Sequence, residues 1–455
     1  MLLRRNPGAR SAELARLARV SPATMLRSLR EAGPSVIRIG QTSSTRYYLR
    51  RALRGSEAPI PVYAVDLQGH AAQVGELHLT APSGSLLDVA AMGWVVGKQF
   101  ASGVWPDGLP YPLQDMRPQG FLGRLFARQE SAALSVPVNP KDWSDEDILH
   151  ALLQRGTDTT GNLILGDAAL QLWLRLKAAG PTVLTARSIA AGYADLASHA
   201  SARGGAGSSA AGEFPKFTAL RKLAGARTEH VIVKYTAADA SETVQRWSDL
   251  LVCEHLAMES LRTVGAVPSA RSRILMVGGR TYLEVERFDR HGLFGRSALC
   301  SLETIEAALL PSTSRDWGHA GAMLLSHGWI TPEALAQVQV IWAFGCLIGN
   351  SDMHRGNLSF VPTPLMQLAP MYDMLPMMFA PLPGGELPQA RFAPDLPLPS
   401  NRQAWYQASK AALAFWQACA DDARISAGFR AVCRANLDTL NRLVAIEGQG
   451  ARSVS

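Results

Sequence analysis

Residues 349–360 read Gly349-Asn-Ser-Asp352-Met-His354-Arg-Gly-Asn357-Leu-Ser-Phe360, and residues 370–373 read Pro370-Met-Tyr-Asp373. Asp352 stands five residues before Asn357, and Asp373 follows that amide by sixteen residues. This spacing is typical of a phosphoryl-transfer site, where the first carboxylate accepts the proton of the attacking hydroxyl and the other two side chains bind magnesium through oxygen. Two plainer interpretations stay open on these residues alone: a transition-metal pair of Asp352 and His354, or a turn rich in Asp and Asn.

The length and composition of the chain indicate a folded protein with a sizeable core. It has 455 residues, of which 47% are hydrophobic, and a chain of this length forms about three domains. We find no apolar run long enough to span a membrane and no apolar stretch of signal-peptide type at the start. The five cysteines are scattered without a Cys-x-x-Cys pair, which favours reduced thiols and predicts a cytoplasmic protein.

The positive charge of the chain is concentrated at its N-terminus. Residues 1–54 contain twelve arginines and two acidic residues, a net charge of +10, whereas the remaining residues have a net charge of −3. A small unit with this excess of arginine has the electrostatic character of a domain that binds phosphates.

The pattern of residues 1–54 predicts a winged helix-turn-helix domain that binds DNA. A short amphipathic helix starts near Ser11, a second helix capped by Ser21 runs to Glu31, and two short strands follow around a polar turn. The second helix would enter the major groove, and the wing would contact the backbone. The candidate contact residues are Thr24, Arg27, Arg30 and Arg46. A small helical protein-interaction module with a solvated arginine face is the alternative.

The next two parts of the chain predict structure but no chemistry. Residues 53–58 are interpreted as a linker. Residues 59–135 form a small α+β unit, because residues 62–79 alternate around a glycine-containing turn as in a β-hairpin and residues 120–126 return to helical spacing. Residues 143–153 and 163–176 add helix and strand material.

A glycine-rich segment at residues 199–217 is the only low-complexity stretch. Composition alone favours a flexible linker. Its position just before a strand at residues 231–235 that carries one lysine, Lys234, instead favours the loop with which kinase-like folds cover nucleotide phosphates. The residues expected near those phosphates are Gly207, Ser208, Ser209, Gly212 and Lys216.

Two further features fit a nucleotide site. A predicted helix at residues 242–261 offers Glu254 or Glu242 as the ion-pair partner of Lys234, although an edge-strand lysine that faces water remains an alternative. A predicted hairpin at residues 273–286 leads into a connector at the position of an interlobe hinge. The remainder is mostly helical, and the helix at residues 338–348 leads directly into Asn350.

The order of these motifs, together with Val285-Glu-Arg-Phe-Asp-Arg290, resembles the HipA family of toxin kinases, and the added N-terminal domain resembles the YjjJ-type branch. The resemblance covers roughly residues 60–440. It implies an α+β, bilobed protein-kinase-like (HipA-like) fold, with an N-lobe at residues 136–290 and a mostly helical C-lobe at residues 291–446. It also implies transfer of phosphate from ATP, with Mg²⁺, to serine or threonine of a protein substrate.

The resemblance assigns roles to individual positions. Asp352 is implied as the catalytic base, Asn357 and Asp373 as metal ligands, and Lys234 as the contact to the nucleotide phosphates. Glu286 and Phe288 are implied at the adenine, His354 is expected to orient the loop, and Ser208 or Ser209 is a candidate for autophosphorylation.

The chain departs from the family in two respects. Many members have Ser-x-x-Gly-x-Gln-x-Lys where this chain has Ser209-Ala-Ala-Gly212-Glu-Phe-Pro-Lys216, which predicts a looser phosphate loop. The usual partner is a separate HipB-like antitoxin, whereas here a DNA-binding domain is fused to the kinase. Three functions therefore stay open: an active kinase toxin with its own DNA-binding domain, a transcriptional regulator with a kinase-like sensor body, and a metal-dependent nuclease.

Overall fold

The N-terminal residues form a small helical unit with a β-hairpin. The computed structural model of the protein describes residues 1–204, 213–265, 267–310 and 316–452. The unit contains α1 (Leu2–Arg5), α2 (Ser11–Ala18), α3 (Pro22–Glu31) and the antiparallel strands β1 (Val36–Ile39) and β2 (Arg46–Leu49). The Ser21 hydroxyl accepts a hydrogen bond from the Thr24 N–H at 3.1 Å, and Pro22 takes the first helical position, so α3 begins where its sequence predicts.

The chain that connects β2 to the next unit is held against that unit, although its last part, residues 53–58, was interpreted as a linker. The Arg51 N–H donates to the Leu79 carbonyl, and the Ala81 N–H donates to the Leu49 carbonyl, both at 2.9 Å. Two ion pairs add to these hydrogen bonds: Arg51 to Glu146 at 2.6 Å and Arg54 to Asp147 at 3.1 Å. The N-terminal unit is therefore docked on its neighbour, because partners distant in sequence bind the backbone that local composition marks as flexible.

We expect the double variant Arg51→Ala/Arg54→Ala to loosen this docking. Each partly exposed ion pair contributes up to about 1 kcal/mol, so the N-terminal unit should stay folded while the segment at residues 50–58 opens more often. Limited proteolysis should then cleave this segment several-fold faster than in the wild type. Arg38→Ala is the matched control, because Arg38 is exposed on the same unit. An unchanged cleavage rate in the double variant would show that the backbone hydrogen bonds alone hold the unit.

The second unit is an antiparallel sheet covered by helices. Its strands are β3 (Ile60–Val65), β4 (Ala71–Leu79), β5 (Ser85–Leu86), β6 (Val104–Trp105) and β7 (Leu163–Leu165), in the order β6-β5-β4-β3-β7. The helices α4 (Gly120–Leu134), α5 (Asp145–Arg155) and α6 (Gly166–Ala179) accompany it. The fifth strand lies beyond residue 135, where the sequence placed the end of this unit.

The N-lobe is a five-stranded sheet between two helices. In chain order it contains β8 (Leu184–Thr185), α7 (Ile189–Gly204), β9 (Lys216–Lys222), β10 (His230–Tyr235), α8 (Glu242–Thr263), β11 (Ser272–Val277) and β12 (Arg280–Glu286). The strand order is β11-β12-β10-β9-β8. Alternate residues of β10 point to opposite faces. Val231, Val233 and Tyr235 pack with Tyr193 of α7, which places Lys234 on the opposite face.

The C-lobe is mostly helical. It starts with the short strands β13 (Arg290–His291), β14 (Gly295–Arg296) and β15 (Cys300–Ser301), followed by α9 (Leu302–Leu309), α10 (Trp317–Ser326) and α11 (Pro332–Leu347). The strands β16 (Ser359–Val361) and β17 (Gln367–Leu368) and the long helices α12 (Arg402–Asp421) and α13 (Ala427–Arg452) complete it. The chain therefore has an α+β fold with two lobes, a sheet-containing N-lobe and a mostly helical C-lobe. In the part of the chain that the structure describes, no helix is long and apolar enough to cross a membrane.

Candidate active site

Lys234 lies at the centre of a buried cluster that joins the two lobes. Its Nζ donates to both carboxylate oxygens of Glu254 on α8, at 2.7 and 2.8 Å, and also to the carboxylate of Asp373 from the C-lobe. The side chains of Lys234 and Glu254 are only 8% and 1% exposed. Buried charges of this kind are stable only when paired. The structure thus brings Lys234 together with Glu254, whereas Glu242 lies exposed in the first turn of α8.

The electrostatics of this cluster keep the lysine charged. Burial by itself lowers the pKa of Lys234, but the carboxylates of Asp373 and Glu254 outweigh burial and raise it. Burial raises the pKa of Asp373, yet Lys234 and Lys216 lower it below the usual range. Burial raises the pKa of Glu254 to about 7, with Lys234 opposing the rise. The site therefore holds a fixed cation next to an ionised aspartate at neutral pH.

The loop after α11 presents the Asp352 carboxylate to solvent. The buried Asn350 accepts the Asp352 N–H through its side-chain oxygen at 3.0 Å, and Asn357 Nδ2 donates to the Asp352 carbonyl at 2.9 Å. His354 Nδ1 accepts the Gly356 N–H at 3.1 Å, so His354 shapes the loop. No described residue hydrogen-bonds to the Asp352 carboxylate. Partial burial raises its pKa, with His354 opposing the rise.

Tyr372 ties the Asp373 segment to this loop. Its hydroxyl donates to the Gly356 carbonyl at 2.6 Å and is hydrogen-bonded to the Ser359 hydroxyl at 2.8 Å. Asp373 itself adopts a left-handed backbone conformation, with φ at +57°. A non-glycine residue in this conformation is strained, and such strain is concentrated at functional sites. The two motifs that are separated in sequence therefore form one rigid structure.

The side-chain oxygen atoms in this region are suitable ligands for a magnesium ion. The Asn357 amide uses its nitrogen within the loop, which leaves its oxygen without a described hydrogen-bond donor. Asp373 contacts Lys234 through one carboxylate oxygen, and its other oxygen is not engaged by a described residue. Hard oxygen ligands of this type suit Mg²⁺. Within the described ranges no group of three or more His, Cys, Asp or Glu side chains could hold a metal.

A cleft of about 290 Å³ lies between the lobes beside these residues. Lys216 and Lys234 stand opposite each other on β9 and β10 at one end of the cleft. Val285, Phe288 and Tyr372 provide apolar surface, and the rings of Phe288 and Tyr372 lie 5.6 Å apart. A cleft with cations at one end and an apolar wall can hold a molecule that combines a ring system with phosphates.

The hinge contains an ion network that sequence reasoning missed. Arg287 and Arg290 both contact Asp289, at 2.9 and 2.8 Å, and both reach Asp158 of the second unit, at 2.9 and 2.7 Å. Glu286, expected at the adenine, lines the cleft but accepts from Arg221 at 3.0 Å. The sequence did contain a signal for this network. Val285-Glu-Arg-Phe-Asp-Arg290 has a cluster of charged residues that a simple hinge does not require.

The structure describes only some of the residues of the predicted phosphate loop. Gly207, Ser208, Ser209 and Gly212 lie outside the described residues. At the start of the next described range, Glu213 accepts a hydrogen bond from the Phe121 N–H at 2.8 Å. It also forms ion pairs with Arg124 at 2.7 Å and Lys216 at 3.1 Å. Glu213 therefore anchors the chain to the start of α4, immediately before Lys216 enters the cleft.

The predicted DNA-contact residues lie on the surface of the N-terminal unit. Arg27 and Arg30 are exposed on α3, and Arg46 is exposed on β2. Arg46 also donates to the Gly8 carbonyl at 3.0 Å. The Thr24 hydroxyl is hydrogen-bonded to the Ser21 hydroxyl at 2.8 Å and is half-buried, so it is less available than the arginines.

Comparisons with known proteins agree on the type of protein. Residues 56–174 match a family model described as the YjjJ-like toxin middle domain, and residues 208–439 match the HipA-like C-terminal domain. Toxin YjjJ of Escherichia coli (strain K12) is 39% identical over 430 residues, which cover 94% of each chain. A chain in the solved complex of HipA, HipB and operator DNA from Shewanella oneidensis MR-1 matches with a TM-score of 0.51 and 16% identity. The match covers 85% of this chain and 97% of that chain.

Proposed function

This chain belongs to the HipA family of toxins, in the branch of Toxin YjjJ, and we propose that it is an ATP- and Mg²⁺-dependent serine/threonine protein kinase with a DNA-binding domain in the same chain. One observation carries the kinase proposal. The buried cluster of Lys234, Glu254 and Asp373 lies next to an Asp352 carboxylate that no described residue engages. This arrangement supplies a phosphate-binding cation and a metal ligand in the interlobe cleft, with a free base close enough to interact electrostatically with both.

Each residue of the site has a separate role in the proposed phosphate transfer. Asp352 orients the acceptor hydroxyl and takes its proton. Lys234 binds the nucleotide phosphates and is held in place by Glu254, and Lys216 adds a second cation beside it. Asn357 and Asp373 would hold a magnesium ion, which would neutralise phosphate charge. Phe288 and Tyr372 provide the apolar surface for the adenine ring.

The contact of Lys234 with Asp373 has a consequence for nucleotide binding. A lysine ammonium has three protons, and Glu254 accepts two of them. Asp373 takes the third, so nucleotide phosphates compete with Asp373 for the lysine. If Asp373 held a magnesium ion, its carboxylate would no longer compete for the lysine. We therefore expect ATP to bind weakly alone and tightly with Mg²⁺, which calorimetric titration with and without the ion can test.

We propose that the N-terminal unit binds DNA through α3 and the hairpin. The support is its net charge of +10, combined with the exposure of Arg27, Arg30 and Arg46. The comparison with a HipA, HipB and operator DNA complex suggests two partners for this chain, operator DNA and a HipB-like antitoxin. Co-purification with a co-expressed antitoxin would test the second partner.

The salt dependence of binding can test the role of Arg46. If Arg46 contacts a phosphate, Arg46→Ala should lower the slope of log K against log salt by about 0.9, because one fewer counterion is released. The weakening should be similar for any duplex sequence. Fluorescence anisotropy with a mixed-sequence duplex at several salt concentrations measures the slope. Arg187→Ala, an exposed arginine outside the N-terminal unit, should leave it unchanged. An equal slope change in both variants would argue against this DNA-binding surface.

A further inference from the structure

Two more cavities adjoin the nucleotide cleft, and one residue connects all three. A cavity of about 550 Å³ surrounds Asp352, and another of about 600 Å³ lies between α9 and the second unit. Glu303, in the first turn of α9, lines both of these cavities and the nucleotide cleft. The three cavities therefore meet at Glu303, and one of them contains the proposed catalytic base. We call the cavity between α9 and the second unit the lateral groove.

Glu303 points its charge into this junction. A carboxylate oxygen of Glu303 lies 3.2 Å from the position that a Cβ would occupy at Gly356, so the side chain reaches the Asp352 loop. The residue is exposed. Among the residues that the structure describes, none hydrogen-bonds or ion-pairs with this carboxylate. An acid that serves only to stabilise the start of a helix does not need to reach a neighbouring loop.

The position of Glu303 is fixed by the second unit. Asp115 accepts the Ser301 N–H at 2.6 Å, the Ser301 hydroxyl at 2.7 Å and the Thr304 hydroxyl at 2.8 Å. These hydrogen bonds hold the first turn of α9 against the segment that precedes α4. The backbone of Glu303 is thus held at the junction of the cavities, so its side chain can reach each of them.

The lateral groove has an acidic and aromatic lining. Asp107 and Asp115 add negative charge to that of Glu303. The arginines that line the lateral groove and the cavity around Asp352 are already paired, Arg117 with Asp145 at 2.5 Å and Arg355 with Glu306. Phe100 stacks on Trp105 with ring centroids 4.2 Å apart and forms an apolar wall. The groove therefore offers unpaired negative charge and flat apolar surface, which complement a positively charged polypeptide and repel nucleic acid.

We propose that the lateral groove binds the acceptor polypeptide next to its phosphorylated hydroxyl, and that Glu303 selects a segment with a lysine or arginine at one position near that hydroxyl. This inference rests on the proposed kinase function and names its substrate class. Glu303 contacts the substrate in this account and takes no part in proton transfer. The aromatic wall binds the flanking side chains without distinguishing them.

Two experiments test this assignment with the full chain. The first uses a set of short peptides, each with one central serine and one arginine, and the position of the arginine differs from peptide to peptide. Each peptide is phosphorylated with Mg²⁺-ATP. The wild type should prefer arginine at one position by about fivefold in kcat/KM, as expected for a partly exposed ion pair. Glu303→Gln should lose this preference, and Glu303→Arg should prefer glutamate at the same position. Asp438→Asn, an exposed acid on α13 that lines none of the three cavities, should behave as the wild type.

The second experiment measures binding of the fluorescently labelled arginine peptides without ATP, so it does not depend on catalysis. Binding that weakens about fivefold in Glu303→Gln, and less so at high salt, supports the inference even if no phosphate is transferred. Phosphate transfer with the same peptide preference in wild type and Glu303→Gln overturns it and leaves the kinase proposal intact. It is also overturned if Glu303→Gln changes the affinity for a labelled oligonucleotide and not for the peptides, or if no peptide is bound or phosphorylated.

Discussion

Asp352→Asn is expected to lower the rate of phosphate transfer by about 10²–10⁴-fold, the usual contribution of a general base. The amide has the same shape as the carboxylate but cannot accept the proton of the attacking hydroxyl. The loop should keep its form, because its hydrogen bonds to Asn350 and Asn357 use the main chain of residue 352. Affinity for Mg²⁺-ATP should therefore change little. Initial rates of phosphate incorporation, with ATP affinity measured separately by calorimetry, check both parts.

The control for this experiment is Asp438→Asn, which makes the same chemical change on an exposed site of α13. It should retain the wild-type rate. If Asp352→Asn keeps the rate within a fewfold of the wild type, another group acts as the base. If wild type and variant both bind ATP and DNA but transfer no phosphate under any condition, the chain is better explained as a regulator with a kinase-like sensor body.

Lys234→Ala is expected to destabilise the protein by about 3–5 kcal/mol, because it breaks a buried ion pair and leaves the Glu254 carboxyl without its partner. Asp373 also loses its cation, and the two carboxylates then repel each other. Binding of Mg²⁺-ATP should be lost at the same time. Urea unfolding measures the free-energy difference, and calorimetric titration measures nucleotide affinity at a temperature where the variant remains folded.

The double variant Lys234→Met/Glu254→Gln separates the two effects. Removing both buried charges should recover much of the lost stability, because a neutral pair of similar volume has no charge to desolvate. Nucleotide affinity should stay low, because the phosphate-binding cation is still absent. A double variant that is as unstable as Lys234→Ala would show that the unpaired Glu254 carboxyl is not the cause of the lost stability.

Local signals in the sequence were enough to predict α2, α3 and the hairpin of the N-terminal unit, although not α1. Ser21-Pro22 marks the start of α3, and the apolar and aromatic residues around the polar turn mark the two strands. The order of motifs likewise predicted a lysine strand, a following helix and a helix that leads into the Asp352 loop. Each of these features depends on residues close together in sequence, which is why they could be read directly.

Features that depend on distant partners could not be predicted in the same way. Glu242 and Glu254 both stood on a predicted helix, and only the packing of α8 against the sheet decides that Glu254 meets Lys234. The docking of the N-terminal unit through Arg51 and the hinge network around Asp289 need partners about a hundred residues away. Glu303 belongs to no recognisable sequence motif. Its proposed role follows only from the position that α9 gives it beside the cavities.

Incubation of the purified full chain with Mg²⁺ and ATP, followed by intact-mass and peptide mass spectrometry, tests the central claim most directly. The account predicts that the wild type gains phosphate, with Ser208 or Ser209 as the expected positions, and that the gain requires Mg²⁺. Asp352→Asn should gain none over the same time. A wild-type protein that binds Mg²⁺-ATP but gains no phosphate, and transfers none to any added protein or peptide, would contradict the proposed kinase activity.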